Sequence, residues 1–173
     1  LDPKVDDDGV TFKSIYDGSF HRFTPEIAVD VQQRIGADIA MVLDVCPPLP
    51  SPPEVIRTAL ERTTAWAQRA KDAHTRTDQS LFGIVQGGIS ESMRRASAQQ
   101  LVDIGFDGYG IGGLSVGEAK PDMYAMLDVV HEQLPLDRPR YLMGVGTPHD
   151  LVRSIRAGVD MFDCIIPTNH ARQ

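Results

Sequence analysis

The stretch Leu81-Phe82-Gly83-Ile84-Val85-Gln86 is an apolar run of strand length that ends on a polar side chain. Four other apolar runs, at residues 39–43, 109–111, 141–143 and 161–162, lead in the same way into Asp44, Gly112-Gly113, Gly144 and Asp163. Helical patterns separate the five runs, which predicts parallel strands joined by right-handed helical crossovers. In a (β/α)8 barrel the carboxyl ends of such strands carry the chemistry, so we expect these end residues to share one pocket.

The predicted elements extend this pattern over the whole chain. Strands are predicted over residues 39–43, 81–85, 108–112, 140–143 and 160–164. Helices are predicted over residues 25–35, 54–73, 91–104, 121–133 and 148–157. The first helix has Thr24 as its N-cap and an apolar face made of Ile27, Val31 and Ile35.

An antiparallel hairpin precedes the alternating part, with strands at 10–13 and 20–23 around an Asp17-Gly18 turn. Five strands are too few to close an eight-stranded barrel. The fold class is therefore α/β, a partial (β/α)8 TIM barrel with an N-terminal β-hairpin insertion. Residues 1–173 form a single domain, an incomplete portion of a barrel catalytic domain. A small doubly wound sheet is the less favoured alternative.

Composition sets the broad class. The chain is 42% apolar and 24% charged, and no apolar run approaches the roughly 18 residues of a membrane span. The two cysteines, Cys46 and Cys164, have no metal-type spacing, which suits a protein of the reducing cytoplasm. We expect both of them to be buried residues at strand ends. Because the first residue is Leu1, we expect the chain to be part of a longer polypeptide.

The net charge of −7 argues against a nucleic-acid partner. The final third is nevertheless locally basic, which softens that objection. Its arginines are Arg138, Arg140, Arg153, Arg156 and Arg172.

Asp44 and Asp163 are the strongest candidate functional residues, although a lone aspartate after a strand is more often a cap or a loop residue. Prolines after Asp44 exclude an immediate helix start, and Ile165 and Ile166 after Asp163 argue against one there. A buried carboxylate is costly unless it is used or paired. Gln86 could read a ligand edge with its amide or simply stabilise a glycine turn.

The glycine-rich segment 108–117 matches neither the Walker nor the Rossmann pattern. It could still hold a phosphate, or its glycines could let the backbone approach a flat ligand closely. The five histidines show no metal spacing and no nucleophile partner by pattern, so no metal site is predicted.

Several motifs in fixed order resemble the bacterial tRNA-guanine transglycosylase family, and the resemblance covers essentially the whole chain. The motifs are Phe82-Gly83-Ile84-Val85-Gln86-Gly87-Gly88, Gly110-Ile111-Gly112-Gly113-Leu114-Ser115-Val116-Gly117-Glu118, Tyr141-Leu142-Met143-Gly144-Val145-Gly146 and Asp160-Met161-Phe162-Asp163-Cys164. The opening Gly9-Val10-Thr11-Phe12-Lys13-Ser14 is similar as well.

The resemblance implies an enzyme of queuosine biosynthesis that exchanges the wobble guanine of certain tRNAs for 7-aminomethyl-7-deazaguanine (preQ1). Asp163 would attack the anomeric carbon of the ribose, guanine would leave, and the incoming base would displace the covalent ester. Two displacements retain the configuration, as in retaining glycosidases.

The same resemblance implies how the base is bound. Asp44 and Gln86 would read its edge, the Gly113-Leu114 backbone would hydrogen-bond it, and Tyr141 and Met143 would cover its faces. Bulk at Cys46 and Val116 would refuse the cyclopentenediol of queuine. The residues that match the anticodon-loop contacts are Gly144, Val145, Gly146, Thr147, Pro148, His149, Asp150, Thr168, Asn169, His170, Ala171 and Arg172.

The chain departs from the family pattern in several places. Val45 stands where a glutamate is usual, and Asn169 where an arginine is usual. The other active-site aspartate of the family lies in an Asp-Ser-Gly-Gly segment upstream of Leu1, and its structural zinc is held by ligands downstream of Gln173. We therefore expect no cofactor in these residues and no catalysis by them alone. The intact enzyme is expected to be a cytoplasmic homodimer.

Two other interpretations stay open from sequence. The chain could belong to a non-catalytic relative that binds tRNA or a catalytic partner, or to an unrelated phosphate-binding barrel. The presence of Asp44, Gln86 and Asp163 favours the enzyme.

Overall fold

The computed structural model describes residues 3–172 and contains two sheets. The first is antiparallel and three-stranded, with β1 (Lys4–Val5), β2 (Val10–Lys13) and β3 (Phe20–Phe23) in that order. The predicted hairpin of β2 and β3 is confirmed. The pairing of β1 was not predicted, because two residues are too few to show an alternating pattern.

The second sheet has five parallel strands, which confirms the partial-barrel prediction. Its strands are β4 (Ile39–Met41), β5 (Ser80–Val85), β6 (Gly108–Ile111), β7 (Arg140–Leu142) and β8 (Met161–Phe162). They pair in the order in which they occur along the chain, so each crossover moves to the next position in the same direction. A barrel is built in this way, whereas a doubly wound sheet reverses its direction part-way.

Six helices accompany the strands within the described residues: α1 (Pro25–Ile35), α2 (Pro53–Ala73), α3 (Glu91–Ile104), α4 (Lys120–His131), α5 (Pro148–Arg156) and α6 (Ile166–Ala171). The Thr24 hydroxyl accepts a hydrogen bond from Ile27 N at 3.3 Å, which confirms the predicted N-cap of α1. Gly36 ends that helix in the left-handed conformation with φ of 77°. None of the helices in residues 3–172 is long and apolar enough to cross a membrane.

The apolar face that the sequence shows on α1 does not lie in the core, since Ile27, Val31 and Ile35 are exposed and Ala28 and Val29 are buried. One sequence expectation about helices is wrong. Ile165 and Ile166 argue against a helix start after Asp163, yet α6 begins at Ile166 with Pro167 in its first turn.

The core lies between the parallel sheet and helices α2, α3 and α4. Trp66 and Ala67 of α2, Leu101 of α3 and Leu127 of α4 are all at most 1% exposed. Trp66 also donates its indole N–H to the carbonyl of Asp7 at 2.7 Å, which fastens the N-terminal sheet to the barrel. This packing fixes the carboxyl ends of the strands relative to one another.

Candidate functional site

A cavity of about 350 Å³ lies at the carboxyl ends of the parallel strands. It is within the range of roughly 300–1,000 Å³ that is usual for small-ligand sites. Its lining comes from four of the five strand ends and the glycine-rich segment: Asp44, Cys46, Gly112, Gly113, Leu114, Ser115, Val116, Tyr141, Met143, Gly144 and Asp163. The structure therefore brings together all of the predicted base-contacting residues except Gln86, which lies directly behind this lining.

Asp44 and Gln86 form a hydrogen-bonded pair in the wall of the cavity. Gln86 is 1% exposed and donates Nε2–H to Asp44 Oδ2 at 2.7 Å. Its backbone N–H donates to Ser97 Oγ at 3.0 Å, so the strand end is fixed by α3. Burial raises the pKa of Asp44, and the hydrogen bond from Gln86 opposes that rise. One oxygen of the carboxylate is thereby held in place, and within residues 3–172 the other accepts no hydrogen bond from another residue.

A buried arginine supports the glycine-rich segment. The sequence analysis did not predict that this residue is part of the site. Arg94 of α3 is 0% exposed and donates to the carbonyl oxygens of Gly88, Gly112 and Gly113 at 2.7, 2.6 and 2.7 Å. A signal was present in the sequence, since Arg94 shares the i, i+4, i+7 spacing of Ala98 and Leu101 on the buried face of α3.

Glu118 holds the far end of the same segment. Its carboxylate accepts the backbone N–H groups of Ser115 and Val116, the latter at 3.0 Å. Ser115 takes a positive φ of 61°, a conformation that residues other than glycine adopt rarely. These contacts shape residues 112–118 into a rigid rim for the cavity.

Asp163 lies at the mouth of the cavity and is exposed. Its Oδ1 accepts the Tyr141 hydroxyl at 2.7 Å and the Gly144 backbone N–H at 2.8 Å. Burial and the neighbouring Asp163 raise the pKa of Tyr141 to about 12, so the phenol stays protonated as a donor. Within residues 3–172 Oδ2 has no hydrogen-bond partner. One oxygen of the Asp163 carboxylate is therefore anchored and the other is free.

The first stretch predicted to bind RNA, residues 144–150, is a loop and helix start of mixed exposure. Gly144, Pro148 and His149 are exposed, whereas Val145 and Gly146 are buried. Asp150 is 2% exposed, and it accepts from Lys120 Nζ at 3.0 Å and from the Tyr124 hydroxyl at 2.7 Å. The side chain of Asp150 therefore faces the protein and shapes the loop.

The second predicted stretch, Thr168 to Arg172, lies in and just after α6 and is exposed throughout. Cys46 is exposed, contrary to the expectation that both cysteines are buried, because it sits on the loop after β4 at the edge of the cavity. Cys164 is half-buried, and its thiol donates to the Gly146 carbonyl at 3.4 Å.

The comparison with known proteins agrees with this geometry. The family model for queuine tRNA-ribosyltransferase matches residues 1–173. The chain belongs to the queuine tRNA-ribosyltransferase family. It is 52% identical to a queuine tRNA-ribosyltransferase of Halothermothrix orenii and 54% identical to one of Pelotomaculum thermopropionicum, each over 169 residues and 98% of the chain.

The chain spans less than half the length of these queuine tRNA-ribosyltransferases, 45% and 46% respectively. Across the part of the chain that the structure describes, no group of three or more His, Cys, Asp or Glu side chains could hold a metal ion. The resemblance places the ligands of the structural zinc outside these residues.

Proposed function

We propose that this chain carries the base-binding pocket and the nucleophile of a tRNA-guanine transglycosylase that inserts preQ1 at the wobble position. The observation that carries the proposal is the position of Asp163, a carboxylate with one free oxygen at the mouth of a cavity of about 350 Å³. Family membership supports a tRNA ribosyltransferase. The choice of preQ1 and the covalent route rest on the pocket residues.

The pocket residues complement the edge of a guanine. A guanine presents two donors side by side, N1–H and the 2-amino group, and the free oxygen of Asp44 can accept from them. Gln86 donates one amide hydrogen to Asp44 from behind the lining, and we propose that its second amide hydrogen reaches an acceptor on the base when the base occupies the cavity. Tyr141 and Met143 line the same cavity and supply the apolar surface that covers a flat ring.

The reaction follows from where Asp163 lies. Its free oxygen forms a bond to C1′ of the ribose while the C1′–N9 bond breaks, and the electron pair leaves with guanine, which takes a proton. The incoming base then forms a new C1′–N bond, loses its proton and breaks the ester, which returns the carboxylate. Each displacement inverts C1′, so the configuration is retained.

The surface beside Asp163 is suited to holding a tRNA loop. Gly144, at the start of residues 144–150, lines the cavity, and Thr168 to Arg172, in and just after α6, are exposed. Loop bases are unpaired, so turning one base into the pocket costs less than it would from a duplex. The tRNA substrate places the proposed reaction in the cytoplasm, and a homodimer is the proposed assembly of the whole enzyme.

Cys46 and Val116 both line the cavity and support preQ1 as the incoming base. Their side chains fill the space next to the glycine-rich rim. A base with a small aminomethyl group fits beside them, whereas the cyclopentenediol of queuine requires that volume.

A covalent trap tests the proposal. The full-length translation product that includes these residues is mixed with tRNA and 9-deazaguanine, which has carbon at position 9 and so forms no normal glycoside. We expect a protein–tRNA adduct on a denaturing gel, and none with Asp163→Asn. Asp137→Asn, on an exposed turn, is the matched control and should form the adduct. Absence of an adduct with the unaltered protein would favour a non-catalytic tRNA-binding role.

A further inference from the structure

Arg94 is a buried cation that makes no hydrogen bond to an acidic side chain in residues 3–172. Its guanidinium is 0% exposed, and its close hydrogen bonds go to the carbonyl oxygens of Gly88, Gly112 and Gly113. Burying a charge against neutral partners costs free energy that an apolar side chain would not cost. If Arg94 orients backbone groups that line the neighbouring pocket, this role would explain why a cation is buried behind the glycine-rich segment.

The carbonyls that Arg94 binds fix the direction of two peptide planes. The peptides 112–113 and 113–114 are trans, so each N–H points opposite to its own C=O. Because both carbonyls turn towards Arg94, the N–H groups of Gly113 and Leu114 turn away from it. Gly113 has a positive φ of 63°, a conformation that glycine adopts easily, and this lets the two consecutive carbonyl groups point in the same direction.

The Gly113 N–H is directed at a side chain that lines the cavity. Burial and the neighbouring Asp44 raise the pKa of the Cys46 thiol, and a hydrogen bond from the Gly113 N–H opposes that rise. Within residues 3–172 neither N–H reaches a carbonyl or carboxylate oxygen. Backbone N–H donors that lack an oxygen partner beside a cavity can stabilise a negative charge that develops on a bound ligand, as the donors of an oxyanion hole do.

We propose that Arg94 is a positioning residue that fixes and polarises these peptides, so that the N–H groups of Gly113 and Leu114 donate to the 6-oxo oxygen of the bound base. This inference rests on the proposed function. As the C1′–N9 bond breaks, the electron pair enters the purine and part of the negative charge reaches the 6-oxo oxygen. The donors are therefore stronger partners for the departing base than for the bound nucleoside.

The charges around Arg94 allow this role at neutral pH. Burial lowers the pKa of Arg94 to about 10, while the nearby Glu118 and Cys46 act in the opposite direction. Arg94 therefore keeps its proton throughout the physiological range. Glu118 is itself held by the N–H groups of Ser115 and Val116.

The test compares two bases in variants of the full-length protein. Arg94→Lys keeps a cation but cannot span three carbonyls, and Arg94→Met removes the charge. Arg95→Met is the matched control, because the next residue on α3 forms surface ion pairs with Glu91 and Glu132. Affinity is measured for guanine and for 2-aminopurine, which lacks the 6-oxo oxygen.

We expect Arg94→Lys to weaken guanine about tenfold or more, the usual effect of losing hydrogen bonds that involve charge, and to leave 2-aminopurine unchanged. Equal losses for the two bases, or no loss for guanine, would overturn the inference. If the unaltered protein forms no tRNA adduct and binds no guanine, the proposed function itself fails.

A second measurement does not depend on a folded variant. In the unaltered protein, the amide proton resonances of Gly113 and Leu114 should move downfield when guanine is added, and much less with 2-aminopurine. Unchanged resonances with guanine bound would overturn the inference.

Discussion

At the scale of single residues, Asp163 is defined by the two donors that bind its Oδ1. The Tyr141 hydroxyl and the Gly144 N–H reach that oxygen at 2.7 and 2.8 Å, which fixes the rotation of the carboxylate. A carboxylate held in this way directs its second oxygen without first losing side-chain freedom. Tyr141 is thus both a wall of the pocket and a support for the proposed nucleophile.

Replacement of Tyr141 by phenylalanine separates these two roles. Tyr141→Phe keeps the ring against the base and removes one charge-assisted hydrogen bond, worth about 1.5–3 kcal/mol. We expect the rate of adduct formation to fall by at least tenfold while guanine affinity changes little. Tyr16→Phe, at a position that is 95% exposed, should leave both quantities unchanged. A loss of guanine affinity equal to the loss of rate would contradict this division of roles.

At the scale of elements, the buried carboxylate of Asp150 ties α4, α5 and the loop at 144–147 together. Thr147 and Asp150 form a capping box at the start of α5, and Lys120 and Tyr124 of α4 bind the same carboxylate. Burial alone would raise the pKa of Asp150, but hydrogen bonds from Tyr124, Lys120 and Thr147 outweigh it and lower the pKa. The loop that borders Asp163 is therefore anchored from inside the protein.

Asp150→Asn should lower the free energy of unfolding by about 2 kcal/mol at pH 7, because charged hydrogen bonds become neutral ones around a buried site. A lowered pKa stabilises the fold above the unfolded-state value of 3.8. That contribution is lost as the pH falls below that value, so the two proteins should converge in strong acid.

Urea unfolding at several pH values measures this difference, with the exposed Asp137→Asn as the control. A difference that stays constant down to strong acid would show that the ionised form of Asp150 is not what stabilises the loop.

At the scale of the whole molecule, the parallel sheet of residues 3–172 is open, with β4 at one edge and β8 at the other. The proposed pocket lies between these edges. Asp44 follows β4 and Asp163 follows β8, so both outer walls of the site stand next to unpaired strand edges.

These 173 residues alone should therefore catalyse no measurable exchange of labelled guanine into tRNA. The full-length Pelotomaculum thermopropionicum relative, of which the chain covers 46%, is the positive control. Measurable turnover by the 173 residues would contradict the expectation and show that the open sheet suffices for catalysis.

The sequence predicted those features that depend on local pattern. Apolar runs that end at Asp44, Gln86 and Asp163 predicted the parallel strands and these three strand-end residues, because burial on both faces of a strand requires continuous apolar stretches. The family resemblance supplied the other residues of the pocket. The elements near the two ends of the chain were harder to predict from the sequence. A two-residue strand and a six-residue helix carry too little periodicity to be recognised.

The sequence by itself determined the alternation of strands and helices, the order of the motifs and the identity of the strand-end side chains. Only the tertiary structure decided which groups those side chains meet. The inward direction of Arg94 and Asp150, and the exposure of Ile27 on α1, depend on neighbours far away in the chain. Packing therefore overrode the local preference of a charged side chain for water, because buried carbonyls and donors supplied the hydrogen bonds that water would have made.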